Sequence, residues 1–315
     1  MDLAWGSGHG REAKMIGRLM ETFSQGNEAA LHAQVLPMLD FGKLLLPLDL
    51  EEPSMPAVQQ AAALAHHYGS EIVIVHAIRP LSYLGFHWDA AVDYVRRERQ
   101  KIEATLAGEM DGLEVRSVLR KGDPARIIVE TAMEEKVGAI VVGPHAYTGM
   151  AGRLLGSVTE KILSAAHCPV WACGHLEKKP VLPLRSVVCG VNFTAHDITT
   201  VRWAAAMAAE FKASLTLAHV TPGVEIYGPG GYHEIPTLKN ALVNAAMQRM
   251  HKLQEQAGVM AATFIGSGDV GKVLSEAARG HGADLLVIGR RAAPGTVGGH
   301  CYSIITKSNI PVLAV

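Results

Sequence analysis

The stretch Gly143-Pro-His145-Ala146-Tyr-Thr-Gly-Met-Ala-Gly-Arg-Leu-Leu-Gly156-Ser157-Val158-Thr159-Glu-Lys-Ile gathers residue types that can hold a phosphate. It follows the apolar run Ala139-Ile-Val-Val142, read as a buried parallel strand, and leads into a helical pattern beginning near Ser157. A glycine at a strand's carboxyl end lets backbone N–H groups approach an anion closely, and the first N–H groups of a helix have no partner inside it. The hydroxyls of Ser157 and Thr159 are further donors to phosphate oxygens. The implied chemistry is the binding of an anion. The sequence shows no positioned acid–base pair, nucleophile or dedicated metal cluster that would break bonds efficiently, so any enzymatic turnover is expected to be slow.

The elements that must position this loop come from a repeat. Leu44-Leu-Leu-Pro-Leu-Asp49 corresponds to Val187-Val-Cys-Gly-Val-Asn192, and Ile74-Val-His76-Ala77 to Leu217-Ala-His219-Val, at an offset of 143 residues. Gly122-Asp123 matches Gly268-Asp269 and Gly143 matches Gly289 at an offset of 146; Cys168-Pro-Val-Trp-Ala matches Ile310-Pro-Val-Leu-Ala at 142. A near-constant offset over five landmarks indicates tandem duplication, with a phosphate loop four residues shorter in the second copy. In the first copy, β-branched or leucine-rich runs predict strands near 43–49, 71–78, 113–119, 138–143 and 169–173. Alanine-rich periodic segments predict helices near 55–68, 88–108, 124–136 and 157–166. Such alternation implies an α/β fold, a parallel sheet with helices on both faces. Ligands bind such sheets outside the carboxyl ends of the strands, where strand order reverses. Asp49, Ala77 and Gly143 all fall near such ends.

Bulk properties narrow the function classes. With 315 residues the chain holds two domains of ordinary size. Its formal net charge of −1 argues against a polyanion such as nucleic acid as partner. The four cysteines have no metal-ligand spacing and read as core residues in a reducing compartment. No apolar run is long enough for a membrane span and no signal peptide is visible, so the cytoplasm is the expected location.

The glycine loop, with alanine at its second position, resembles the G-x2-G-x9-G-[ST] nucleotide loop of the universal stress protein family. Pro47-Leu48-Asp49, Val75-His76-Ala77, Gly122-Asp123, the Val158-Thr159-Glu160 continuation and the terminal Pro169-Val and Pro311-Val-Leu strands carry the same resemblance. The resemblance implies two five-stranded parallel domains at 41–173 and 185–315; residues 174–184, with Pro180 and Pro183, read as a linker, and residues 1–40, outside the repeats, as a partly helical N-terminal extension. It also implies an adenine nucleotide, ATP or a relative, with Mg²⁺ as an optional companion, and a homodimer or an unidentified protein as partner. By the same resemblance Pro47, Leu48, Asp49 and Ala77 line the adenosine end. Val142, Gly143, His145, Ala146, Gly156, Ser157, Val158 and Thr159 surround ribose and phosphates. Ala146 departs from the pattern: if the position needs φ > 0, alanine costs roughly 1 kcal/mol, and its methyl group crowds the phosphate.

Several residues have simpler readings. Asp49 could end its strand and cap a turn. Asp123, followed by Pro124, fits a helix N-cap. His76 and His219, in apolar strands, read as packed and hydrogen-bonded, Ser157 as an N-cap, and His145 as a functional histidine. In the second copy Asn192 replaces the acid and Gly299 the serine, which favours a structural role over ATP binding there. Arg290 and Arg291 could attract an anion or belong to a solvated surface. Gly266-Ser-Gly-Asp-Val-Gly271-Lys272-Val273 imitates a phosphate loop but lacks the hydroxyl that would hold Mg²⁺, and reads as the repeat's turn and N-cap. Residues 15–23 have helical spacing, and 83–94 could form a lid, although its aromatic residues fit packing better. Three classes follow: a nucleotide-binding regulator in the stress response, a slow ATP hydrolase, and a non-nucleotide scaffold or small-ligand binder.

Overall fold

In the computed structural model each repeat lays down five strands in the same spatial order. The described residues are 36–49, 54–78, 96–97, 100–102, 104, 106, 108–143, 156–173, 182–223, 225–228, 231–293, 296–297 and 300–315. In the first copy the elements are β1 (Lys43–Pro47), α1 (Met55–Tyr68), β2 (Glu71–Ile78), β3 (Val115–Lys121), α2 (Pro124–Glu134), β4 (Ala139–Val142), α3 (Ser157–Ala165) and β5 (Val170–Ala172). The second copy has β6 (Ser186–Gly190), α4 (Asp197–Phe211), β7 (Ser214–Thr221), β8 (Glu225–Gly228), β9 (Gly231–Glu234), α5 (Pro236–Ala257) and β10 (Ala262–Ser267). It continues with α6 (Val270–Gly280), β11 (Leu285–Ile288), β12 (Arg291–Ala293), β13 (Thr296–Val297), α7 (Cys301–Lys307) and β14 (Val312–Ala314).

One ten-stranded sheet runs β10-β7-β6-β11-β14-β5-β4-β1-β2-β3. Its pairs are parallel within each copy, while β14 meets β5 antiparallel, with Leu313 opposite Trp171. The two last strands thus join the copies within one chain. Each copy's order reverses beside its first strand, between β1 and β4 and between β6 and β11, which is where α/β sheets open a ligand crevice. Residues 38–315 form one unit.

Alternation along the strands divides the core. Leu45, Val73, Val75, Ile140 and Val142 point to one face, where Ile127 and Ile128 of α2 and Ile162 and Leu163 of α3 cover them. The same apolar layer continues across the seam through Val170, Ala172, Val312 and Ala314 to Leu274 of α6 and Ile304 and Ile305 of α7. On the other face α1 packs on β1, β2 and β4, and α4 on β6, β7 and β11. There the repeat-related ends of α1 and α4 meet: the rings of His67 and Phe211 lie 4.5 Å apart, and His67 Nε2 is 3.1 Å from Glu210 Oε1. Three cysteines, Cys173, Cys189 and Cys301, are buried and Cys168 is partly so; none is disulfide-bonded. Burial pushes the thiols of Cys168 and Cys301 up to about 11 and about 12. These are inert core groups.

Candidate functional site

In the first copy the crevice is framed by β1, β2 and β4. Pro47 pairs with Val75, so continuing this parallel register places Asp49 level with Ala77. Leu45 pairs with Ile140, which carries Pro47 level with Val142 and Leu48 level with Gly143. The backbone N–H of Leu48 donates to Val75 O at 3.0 Å, and a ring nitrogen of His76, Nδ1, lies 2.9 Å from Leu48 O. His76 therefore fixes the chain just before Asp49, as a packed, hydrogen-bonded histidine. His219 does the same in the second copy, its Nδ1 2.9 Å from Val191 O.

Gly143 has a steric reason of its own. A Cβ built on it would lie 1.8 Å from Ser54 Oγ and 2.2 Å from Ser54 Cβ, so β4 ends against the start of α1 with no room for a side chain. Ser54 occupies the N-cap position of α1 but makes no side-chain capping bond. Its Oγ is buried and finds no hydrogen-bond partner among the described residues. A hydroxyl in that state costs roughly 1–3 kcal/mol unless something completes it. Nothing in the sequence marks Ser54 as a site residue, because its relation to Gly143 exists only once α1 packs on β4.

The α3 terminus differs from expectation in one residue. Gly156, not Ser157, is the N-cap: Gly156 is extended (φ −63°, ψ 145°), and Ser157 is the first helical residue. The change matters chemically. A serine at the N-cap turns its own oxygen onto the second or third amide of the helix, whereas glycine leaves those amides uncapped by a side chain. The ladder begins with Glu160 N–H to Gly156 O at 3.1 Å, so the amides of Ser157, Val158 and Thr159 precede it. Ser157 is exposed and Thr159 is 3% exposed, leaving Ser157 as the hydroxyl open to solvent. His145 and Ala146, the segment 83–94 and residues 15–23 lie outside the described residues.

The second copy has spent the corresponding groups on structure. Asp197, at the position related to Ser54, accepts from the N–H groups of Asn192 and Thr194 at 3.1 and 2.5 Å. Burial pushes its carboxyl up, against those two donors. Phe193, in the left-handed region at φ 57°, lies with its ring centroid 4.2 Å from that of His219, and the Arg249 guanidinium sits 4.5 Å above the Phe193 ring. Arg290 does not belong to a solvated surface: it is 4% exposed, and its Nη1 donates to Leu163 O and Ala166 O at 3.2 and 2.9 Å. Buried guanidinium needs such acceptors, which the end of α3 supplies. The ribbon β12–β13 occupies part of the shortened loop, a feature absent from the predicted strands; Gly298 and Gly299 lie outside the described residues.

The remaining motifs are structural. Asp123 and Asp269 accept from Arg126 N and Lys272 N at 3.0 and 2.8 Å, as N-caps of α2 and α6. The imitation phosphate loop is thus a turn, with Gly268 at φ 121°, followed by that cap. Among the described residues no group of three or more His, Cys, Asp or Glu could hold a metal, and no helix is long and apolar enough to cross a membrane.

Comparison with known proteins agrees with the two-copy fold. The universal stress protein family model matches residues 40–174 and 183–315, more than four-fifths of the chain. A universal stress protein of Methanocaldococcus jannaschii is 28% identical over 136 residues, 41% of this chain and 80% of that one. One from Thermus aquaticus is 30% identical over 132 residues, 41% of this chain and 96% of that one. Among solved structures, a universal stress protein from Archaeoglobus fulgidus DSM 4304 shares the fold with a TM-score of 0.65 and 20% identity, over 87% of this chain and 98% of that one. Two family matches in one chain, on two copies of one strand order, show that it belongs to the universal stress protein family as a tandem member.

Proposed function

We propose that the first domain, residues 41–173, binds an adenine nucleotide, with ATP as the leading candidate, and that the protein is a cytoplasmic regulator in the stress response whose partner surface changes with occupancy. The observation that carries this reading is the buried Ser54 hydroxyl, without a hydrogen-bond partner among the described residues, standing against Gly143 at the end of β4, beside the strand-order reversal. Asp49 lies just past the end of β1, and the chain beyond Gly143 leads to the α3 amides, which no side chain caps. These residues fit a nucleotide: Pro47, Leu48, Asp49 and Ala77 would face the nucleoside. Val142, Gly143, Gly156, Ser157, Val158 and Thr159, with His145 and Ala146 of the intervening loop, would face ribose and phosphates. The bound nucleotide supplies the signal; Mg²⁺ would enter with its phosphates.

The second domain, residues 185–315 after the linker 174–184, is a structural partner in this reading. Asp197, Phe193 and Arg290 support it, each engaged in internal contacts, and Asp197 accepts two N–H groups where the related Ser54 hydroxyl has no partner among the described residues. The deciding experiment is mass spectrometry of small molecules released from freshly purified protein, followed by titration with ATP, ADP and AMP. About one adenine nucleotide per chain is expected, with affinity reduced about tenfold in Ser157→Ala. Two per chain would overturn the reading of the second copy. None, with no binding in titration, would leave the scaffold reading in its place. Magnesium-dependent phosphate release that disappears in Ser157→Ala would identify a hydrolase.

A further inference from the structure

Arg290 follows Gly289 at the carboxyl end of β11, the second copy's strand-order reversal, and corresponds in the repeat to Pro144. Its main chain is tied into the strand-end ladder: Arg290 N–H donates to Val315 O at 2.8 Å, and Val315 N–H to Ile288 O at 3.0 Å. Its side chain leaves its own crevice and crosses to the other copy. There Nη1 meets the carbonyls of Leu163, in the last turn of α3, and of Ala166, the C-cap of α3. The second copy's β13 packs on the same helix.

α3 is a nine-residue helix, about 13 Å long. Its far end carries the amides of Ser157, Val158 and Thr159. A guanidinium at the carboxyl end and an anion at the amino end are both favoured by the helix dipole. Because Pro144 has no side-chain donor, this residue pair cannot return the contact from the first copy to the second.

We propose that Arg290 is a positioning residue for the first domain's nucleotide site: reaching from the second domain, it clasps the carboxyl end of α3 and so fixes where the α3 amides meet a phosphate. This rests on the reading of that site given above. The second copy's own loop thereby serves the first copy's ligand.

The test compares full-length wild type, Arg290→Ala, Arg290→Lys and, as a control, His67→Ala, which removes an interdomain contact distant in sequence from α3. ATP affinity is read by calorimetric titration. Hydrogen–deuterium exchange of peptides covering 156–165 is read without ligand. Arg290→Ala should weaken ATP binding about 5- to 20-fold and speed exchange at the amino end of α3, and Arg290→Lys should recover part of both. His67→Ala should lower the melting temperature with ATP affinity unchanged. Wild-type affinity in a folded Arg290→Ala, or the same loss of affinity in His67→Ala, overturns the proposal. If Arg290→Ala does not fold, Arg290→Lys decides between these outcomes. A wild type that binds no nucleotide sinks the reading of the site. The exchange measurement then still decides the clasp: unchanged exchange at 156–160 in the Arg290 variants refutes it, and faster exchange upholds it.

Discussion

Ser54 sets the sharpest expectation for a single side chain. Its buried oxygen has no hydrogen-bond partner among the described residues and stands against Gly143 at the end of β4, so the hydroxyl is incomplete there. Replacing it with alanine removes that cost along with the donor. Ser54→Ala should hold or slightly raise the melting temperature of the nucleotide-free protein and weaken ATP binding about 3- to 10-fold; a loss of stability without loss of affinity would make Ser54 a helix-packing residue alone. His219 sets a second expectation. Burial holds its imidazole below the ordinary value of 6.5. The unfolded chain then takes up a proton that the folded protein resists, so this contribution to stability is complete above about pH 6.5 and is lost as the pH falls toward the depressed value. The urea midpoint of wild type should fall between pH 7 and pH 5, and the fall should be shallower in His219→Gln. At this scale the sequence announced Asp123, Asp269 and the packed histidines, whose roles depend on neighbours a few residues away or on an apolar strand. It did not announce Ser54, Asp197 or Arg290, whose partners are set by helix packing, loop closure and a contact between copies.

Among the elements, α1 runs over the predicted 55–68, because Pro56 near its start and Gly69 in the left-handed region at its end mark both boundaries locally. The helix expected over 124–136 stops at Glu134 instead, and Lys136 takes φ 52°, a turn that composition does not signal because glycine usually fills it. The ribbons β8–β9 and β12–β13 leave no mark in the sequence for a related reason: strands of two to four residues are too short to show a period. The caps are the legible part, and they test cleanly. Asp123→Ala and Asp269→Ala should each lower the melting temperature by about 2–4 °C and leave ATP affinity alone. Each carboxylate also has a lysine from the following helix, Lys161 of α3 at 3.6 Å from Asp123 and Lys307 of α7 at 2.6 Å from Asp269, so the Asp269 variant, with the shorter pair, should lose slightly more. Equal losses would show that the shorter α6–α7 link contributes no more than the α2–α3 one.

At the scale of the molecule, the β5–β14 seam decides whether there is one sheet or two. Leu313 and Trp171 face each other there, both fully buried. Leu313→Asp would bury a carboxylate with no partner of opposite charge designed for it and should destabilise the chain by more than about 3 kcal/mol. Gel filtration should then show larger species as the freed edges pair between chains. A monomer of unchanged stability would mean that the copies hold together through α1 and α4 instead. The seam leaves β3 and β10 at the borders of the sheet, and Arg116, Arg120 and Lys121 on β3 give that border the charge that discourages strand addition.

The seam also has a consequence in time. Ala172 waits for Val312, which leaves the ribosome 140 residues later. At about 5–20 residues per second, the newborn first domain presents the bare edge of β5 for about 7–28 s before its covering strand exists. Trp171 is the large apolar side chain on that edge. Slowing translation of the second repeat should therefore raise the aggregated fraction of the nascent chain, even though the finished protein keeps that strand sealed.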